Sequence, residues 1–239
     1  MPGWCTNRSV FRDLAELCSR RYRVLSLDWR GHGESGSSGD DFGNDELVED
    51  ALNVVRASGA RAIVPVALSH AGWVAIGLHH RLGARVEKLV LLDWIIMMQP
   101  PREFFEALDG MQSPDRWRET VERIASVWLS NVENAALIRF VREEMGSYGF
   151  EMWSRAAREI AAAYAEKGTP LQRLEGLDPA LPVLHLYAQP DDPGYLAAQR
   201  SFAAEHPWFK VERLKARSHF PMFEVPDEMA AHIEQFVGL

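Results

Sequence analysis

Four side chains able to move a proton or attack a carbonyl each follow an apolar, β-rich run: Ser69, Asp93, Asp191 and His219. Their order along the chain is serine, acid, histidine. A neutral imidazole accepts a proton near neutral pH, and a carboxylate beside it fixes its tautomer and stabilises the imidazolium. A serine beside such a pair can attack as a nucleophile or donate a hydrogen bond to a bound ligand. The apolar run over 63–68 reaches Ser69-His70, and small residues in a helical pattern follow at once. Strand, sharp turn and helix put the serine at the apex of a nucleophile elbow. Ala67 and Ala71 stand where the usual Gly-x-Ser-x-Gly spacing has glycines.

Two acids compete to serve His219. Asp93 closes the buried run at 86–92, where the alternative role is a strand-end cap. Asp191 lies in Gln189-Pro190-Asp191-Asp192-Pro193, where a turn or helix-capping aspartate is the alternative. The pattern leaves the choice open. His219 sits in Ser-His-Phe-Pro ahead of the last helix, where a surface-loop histidine is the competing reading. His70 is either a second polar contact or a satisfied turn residue. An oxyanion site on such an elbow uses the N–H after the serine, here His70, and one from a second loop, here Trp4 or Cys5. The segment 28–35, with Gly31 and Gly33, reads as a structural turn packed below the site. His79 and His80 read as scaffold and Cys18 as core. No histidine–carboxylate spacing suggests a metal, and no glycine-rich nucleotide loop follows a strand.

The elements that must hold these groups alternate. Helices are predicted over 9–20, 45–58 (capped by Asn44 or Asp45), 72–82, 193–205 and 226–237. Strands are predicted over 22–27, 62–68, 86–92, 183–188 and 209–214. This alternation implies an α/β fold with a mostly parallel, doubly wound sheet, whose ligands bind beyond the strands' carboxyl ends. Residues 99–170 break the pattern, being helical, charged and rich in Trp and Met. They read as a helical cap (99–170) inserted between two parts of the core (1–98 and 171–239). The opening Met1-Pro2-Gly3-Trp4-Cys5 reads as a loop that a strand should deliver, so N-terminal strands amounting to roughly 30 residues are expected to be missing.

Composition narrows the partners. The 239 residues carry 26 basic and 34 acidic side chains, a net charge of −8, which disfavours a phosphate backbone as partner. No apolar run approaches the ~20 residues of a membrane span, and no signal peptide is visible. Two cysteines make no disulfide framework. A soluble, cytoplasmic protein follows, with neither nucleic acid nor membrane as partner. Eight tryptophans in this length suit either core filling or a pocket for a flat apolar ligand.

An ordered set of short motifs spans nearly the whole chain. It comprises Pro2-Gly3-Trp4-Cys5, Trp29-Arg30-Gly31-His32-Gly33, Ser69-His70-Ala71-Gly72-Trp73, Asp93-Trp94 and Val127-Trp128-Leu129. It continues with Tyr148-Gly149-Phe150, Gln189-Pro190, His206-Pro207-Trp208-Phe209 and His219-Phe220-Pro221. The set resembles the cofactor-free ring-cleaving 2,4-dioxygenases of 3-hydroxy-4-oxoquinolines, which have an α/β-hydrolase fold and normally a longer N-terminus. The resemblance implies that His219 is a general base toward the substrate 3-hydroxyl and that Asp93, not Asp191, supports it. It implies O2 as co-substrate with no metal or organic cofactor, and release of carbon monoxide and an N-acylanthranilate. It places Ser69, His70 and Trp73 of the elbow, Trp128 of the cap and the loop at Trp4 around the substrate. Without it, Trp128 would be read as a core aromatic of the cap. A monomer or weak homodimer is expected.

Some positions depart from the family pattern. Thr6 stands where relatives often carry histidine, Ala71 where they tend to have glycine, and Leu68 where some have a polar residue. These leave the substrate's 2-substituent open. They also keep a competing expectation, a serine esterase or amidase using Ser69, His219 and Asp191. A non-catalytic ligand sensor is the third.

Overall fold

The computed structural model describes residues 1–239 except Ser38, Pro179 and Leu239. Four parallel strands form one sheet in sequential order: β1 (Val66–Leu68), β2 (Leu89–Leu92), β3 (Val183–Tyr187) and β4 (Phe209–Arg213). Every residue of β2 and β3 is buried, as continuous Val/Leu runs require when helices cover both faces of a parallel sheet. Register is continuous across the sheet: Leu68 pairs with Leu92, Leu92 with Leu186, and Leu186 with Glu212. The residues just past these strands therefore share one edge of the sheet.

Helices α1 (Arg12–Ser19) and α2 (Asn44–Ser58) precede the sheet, and α3 (Ala71–Leu82) joins β1 to β2. Between β2 and β3 the described chain is helical: α4 (Arg102–Met111), α5 (Trp117–Trp128), α6 (Ala135–Arg139), α7 (Phe150–Lys167) and α8 (Pro170–Glu175). Helix α9 (Pro193–Glu205) links β3 to β4, and α10 (Pro226–Gly238) closes the fold against α1. Helix α9 starts where its sequence says it should. Asp192 accepts the Gly194 N–H at 2.9 Å, and Pro193 fills the first helical position, where a missing N–H costs nothing.

Two local expectations are corrected. Helix α2 is capped one residue earlier than predicted, at Gly43. The Glu46 carboxylate reaches back to the Gly43 N–H at 2.7 Å, while Asn44 turns its amide to the Glu159 carbonyl. Residues 22–27 form no strand, because among the described residues no neighbouring strand supplies a hydrogen-bond ladder. A groove of about 500 Å³ runs between them and residues 62–66, floored by Phe11, Leu14 and Cys18. Cys18 accordingly borders this groove and is only half-buried. At one end of the groove Met1 pairs with β1. Its amine donates to the Val66 carbonyl at 2.8 Å, and its carbonyl accepts the Leu68 N–H at 3.1 Å. Burial lowers the pKa of that amine to about 5.

Candidate active site

The site is assembled from loops beyond the carboxyl ends of the strands. Ser69 follows β1 with φ of 53°, in the left-handed region where a side chain is strained. Its N–H donates to the Leu92 carbonyl at 2.8 Å, which ties the elbow to the end of β2. Helix α3 leaves the elbow so close to the next loop that Gly72 has no room for a Cβ. One built there would lie 2.1 Å from the Trp94 ring.

Asp93 follows β2, also left-handed at φ 47° and 2% exposed. Its Oδ1 accepts the N–H groups of Ala188 and Gln189 at 2.6 and 2.9 Å, just past β3. Its Oδ2 lies 2.7 Å from His219 Nδ1. With a carboxylate at that distance, Nδ1 carries a proton, so in the neutral ring it is Nε2 that holds the lone pair. The loop bearing His219 is pinned from below. Ser218 Oγ donates to the Glu224 carboxylate, the Ser218 N–H does so at 2.9 Å, and Phe220 N–H donates to Ser218 Oγ at 3.1 Å.

Asp191 is elsewhere. It pairs with Arg213 at the end of β4 and is largely exposed, while Asp192 caps α9. The acid that reaches His219 is Asp93. No hydrogen bond joins Ser69 to His219 among the described residues.

Trp128, at the end of α5, stacks on the His219 ring with centroids 5.2 Å apart and planes 17° from parallel. Phe220 meets the same indole edge-on. His70 is enclosed by Trp94, Phe104 and Tyr164 at 5.6–6.2 Å. Burial, together with the nearby His219, lowers the His70 pKa to about 3, so the ring is neutral at ordinary pH. Trp73 is 3% exposed and packs edge-on against Trp94 and Tyr164. It braces the aromatic cluster, and among the described residues no ring contact joins it to His219.

The N-terminal loop passes against the elbow, with the Gly3 Cβ position 3.8 Å from Ser69 Cβ. The Trp4 ring stacks on Phe42 and lies tilted against His32. Of the two candidate loop amides, Cys5 N–H is taken: it donates to His32 Nε2 at 3.2 Å. The N–H groups of Trp4 and His70 have no acceptor among the described residues. Sequence reasoning missed Phe104, Tyr164 and Glu224. The first two lie on inward faces of amphipathic helices, where a core aromatic and a site aromatic read alike. Glu224, six residues past Ser218, carries no motif.

Strands, elbow and an acid–histidine pair at the sheet's carboxyl edge define a class, and the α/β-hydrolase family model matches residues 1–232. The chain belongs to that family. Within it, the chain is 37% identical to the 2-heptyl-3-hydroxy-4(1H)-quinolone dioxygenase of Mycobacteroides abscessus, over 97% of this chain and 86% of that protein. It is 35% identical to the 1H-3-hydroxy-4-oxoquinoline 2,4-dioxygenase of Pseudomonas putida, over 99% and 89%. An AqdC variant solved with its substrate, the Pseudomonas quinolone signal, superposes with a TM-score of 0.94 at 36% identity, covering 100% of this chain and 89% of that one. The chain is thus a member of the 3-hydroxy-4-quinolone 2,4-dioxygenase group of α/β-hydrolases.

Proposed function

We propose that this chain cleaves the heteroaromatic ring of a 3-hydroxy-4(1H)-quinolone with O2, releasing carbon monoxide and an N-acylanthranilate. The observation that carries the reading is the His219–Asp93 contact of 2.7 Å beneath Trp128, with Asp191 engaged elsewhere. Neutral His219 takes the proton of the substrate 3-hydroxyl at Nε2, and the Asp93 carboxylate stabilises the imidazolium. The resulting electron-rich anion reacts with O2 at C2. The peroxide closes on C4, and the C2–C3, C3–C4 and O–O bonds break. C3 leaves as carbon monoxide with its own oxygen, and one O2 oxygen stays on each of C2 and C4. Substrate plus O2 equals product plus carbon monoxide, so the balance calls for no further oxidant and no cofactor.

Attack on C4 turns its carbonyl oxygen into an alkoxide. The unpaired N–H groups of Trp4 and His70 suit that developing charge. Ser69 and His70 orient the ring, Trp128 covers it, and the aromatic surround keeps stray protons from the anion. Residues 99–170 serve as the cap over the two-part core. Among the described residues no cluster of three or more His, Cys, Asp or Glu side chains could hold a metal ion, and the reaction as written uses none.

The test is a set of 3-hydroxy-4-quinolones differing only at C2, assayed for O2 uptake and carbon monoxide release after chelator treatment. One of each gas per substrate is expected, and His219→Ala abolishes turnover. A chelated protein that consumes none of these substrates overturns the reading. Ser69→Ala separates it from ester hydrolysis, for which loss of the nucleophile is fatal. Here the variant keeps measurable ring cleavage, and Ser69 is not labelled by a fluorophosphonate.

A further inference from the structure

The turn at Trp29-Arg30-Gly31-His32-Gly33 reads in sequence as structural, yet it grips the loop that faces the elbow. Two bonds hold the grip, and a third, inside the turn, orients the His32 ring. Trp29 Nε1 donates to the Pro2 carbonyl at 2.7 Å. His32 Nδ1 sits 2.9 Å from the Arg30 carbonyl, which can only accept, so Nδ1 carries the ring proton. His32 Nε2 is then a lone pair, and it takes the Cys5 N–H at 3.2 Å. Gly33 N–H in turn donates to the Tyr148 hydroxyl, whose ring lies 5.1 Å from that of His32. His32 is 1% exposed and Cys5 fully buried, so in the native chain bulk water does not compete for the bond. Cys5 is also left-handed, at φ 55°, a conformation that persists only where its surroundings enforce it.

We propose that His32 is a positioning residue for ring cleavage. By holding the Cys5 N–H it fixes the 4–5 peptide, so that the Trp4 N–H, and not that of Cys5, is the loop's donor to the substrate oxygen. The proposal rests on the functional reading above for its kinetic consequence but not for the clamp itself. Burial lowers the His32 pKa, which keeps the ring in its accepting form at neutral pH.

The experiment compares His32→Leu, which has no acceptor, with His32→Gln, whose side-chain oxygen can reach the Cys5 N–H. Ring-cleavage kinetics and hydrogen exchange of the Cys5 amide are measured on the full chain, with folding checked by circular dichroism. Oxyanion donors are worth about 10²- to 10³-fold, so a displaced one should cost at least about tenfold in kcat. His32→Leu is expected to show that loss and a faster-exchanging Cys5 amide, and His32→Gln to recover most of both. His32→Met takes the place of His32→Leu should the latter not fold. Equal losses in the Gln and apolar variants, an unchanged kcat in the apolar variant, or an unchanged Cys5 amide overturns the proposal. If the native chain cleaves no quinolone, the functional reading falls, and the exchange comparison still decides whether the clamp exists.

Discussion

Asp93 has two tasks at once. One oxygen orients His219, and the other accepts two N–H groups from the loop after β3. Asp93→Asn keeps the shape but can present an amide N–H to either partner. A donor facing His219 Nδ1 forces the ring into the other tautomer, with the proton on Nε2 where the base's lone pair must be. Asp93→Asn is therefore expected to lower kcat by about 10²- to 10⁴-fold, the usual weight of a positioned base. Asp191→Asn should leave kcat unchanged. Steady-state carbon monoxide release reads both. Sequence could name the histidine but not its acid, because Asp93 and Asp191 both follow strands. What separates them is side-chain direction: Asp191 is drawn to Arg213, a residue that no motif links to it. The family resemblance, not the spacing, pointed to Asp93.

At the level of elements, hydrophobic periodicity and capping residues placed the helices well, with α9 matching its predicted bounds from Pro193 to Glu205. Segment 22–27 was misread because strand character is a property of pairs: an apolar composition cannot reveal whether a partner lies alongside. The elbow shows the reverse case. Its missing glycines at 67 and 71 are tolerated, since both alanines are buried without displacing the turn. The glycine that matters is Gly72, where α3 meets the Trp94 ring. Gly72→Ala should destabilise the fold by about 1–3 kcal/mol through overpacking. Urea denaturation measures this, and the neighbouring Ala71→Gly should cost about 1 kcal/mol or less.

Across the whole molecule, buried histidines link stability to pH. His70 and His185 have pKa values lowered by burial to about 3 and about 4, against 6.5 for an ordinary histidine. Between those limits the unfolded chain binds more protons than the native one, so stability falls as pH falls. The loss begins near pH 6.5 and approaches about 1.4 kcal/mol per pH unit for each histidine. Denaturant titrations at pH 7 and pH 5 should show this, and His70→Leu should flatten the slope. No helix of the described residues is long and apolar enough to cross a membrane.

Among the described residues, four non-glycines are left-handed: Cys5, Ser69, Asp93 and Asn131. Three of them are in the loops that meet at the site. Each such conformation costs about 1–3 kcal/mol, which a glycine would relieve only where the side chain it replaces holds nothing else. Heat resistance and turnover therefore pull in opposite directions at Ser69, whose hydroxyl has no hydrogen-bond partner among the described residues. At Asp93 they pull together, because its loss would orphan the Ala188 and Gln189 N–H groups. A laboratory lineage selected only for survival at high temperature would drift toward glycine at 69 and arrive at a sturdier, slower protein. Breeding a hardier catalyst from this chain means holding that codon fixed and letting the rest of the gene vary.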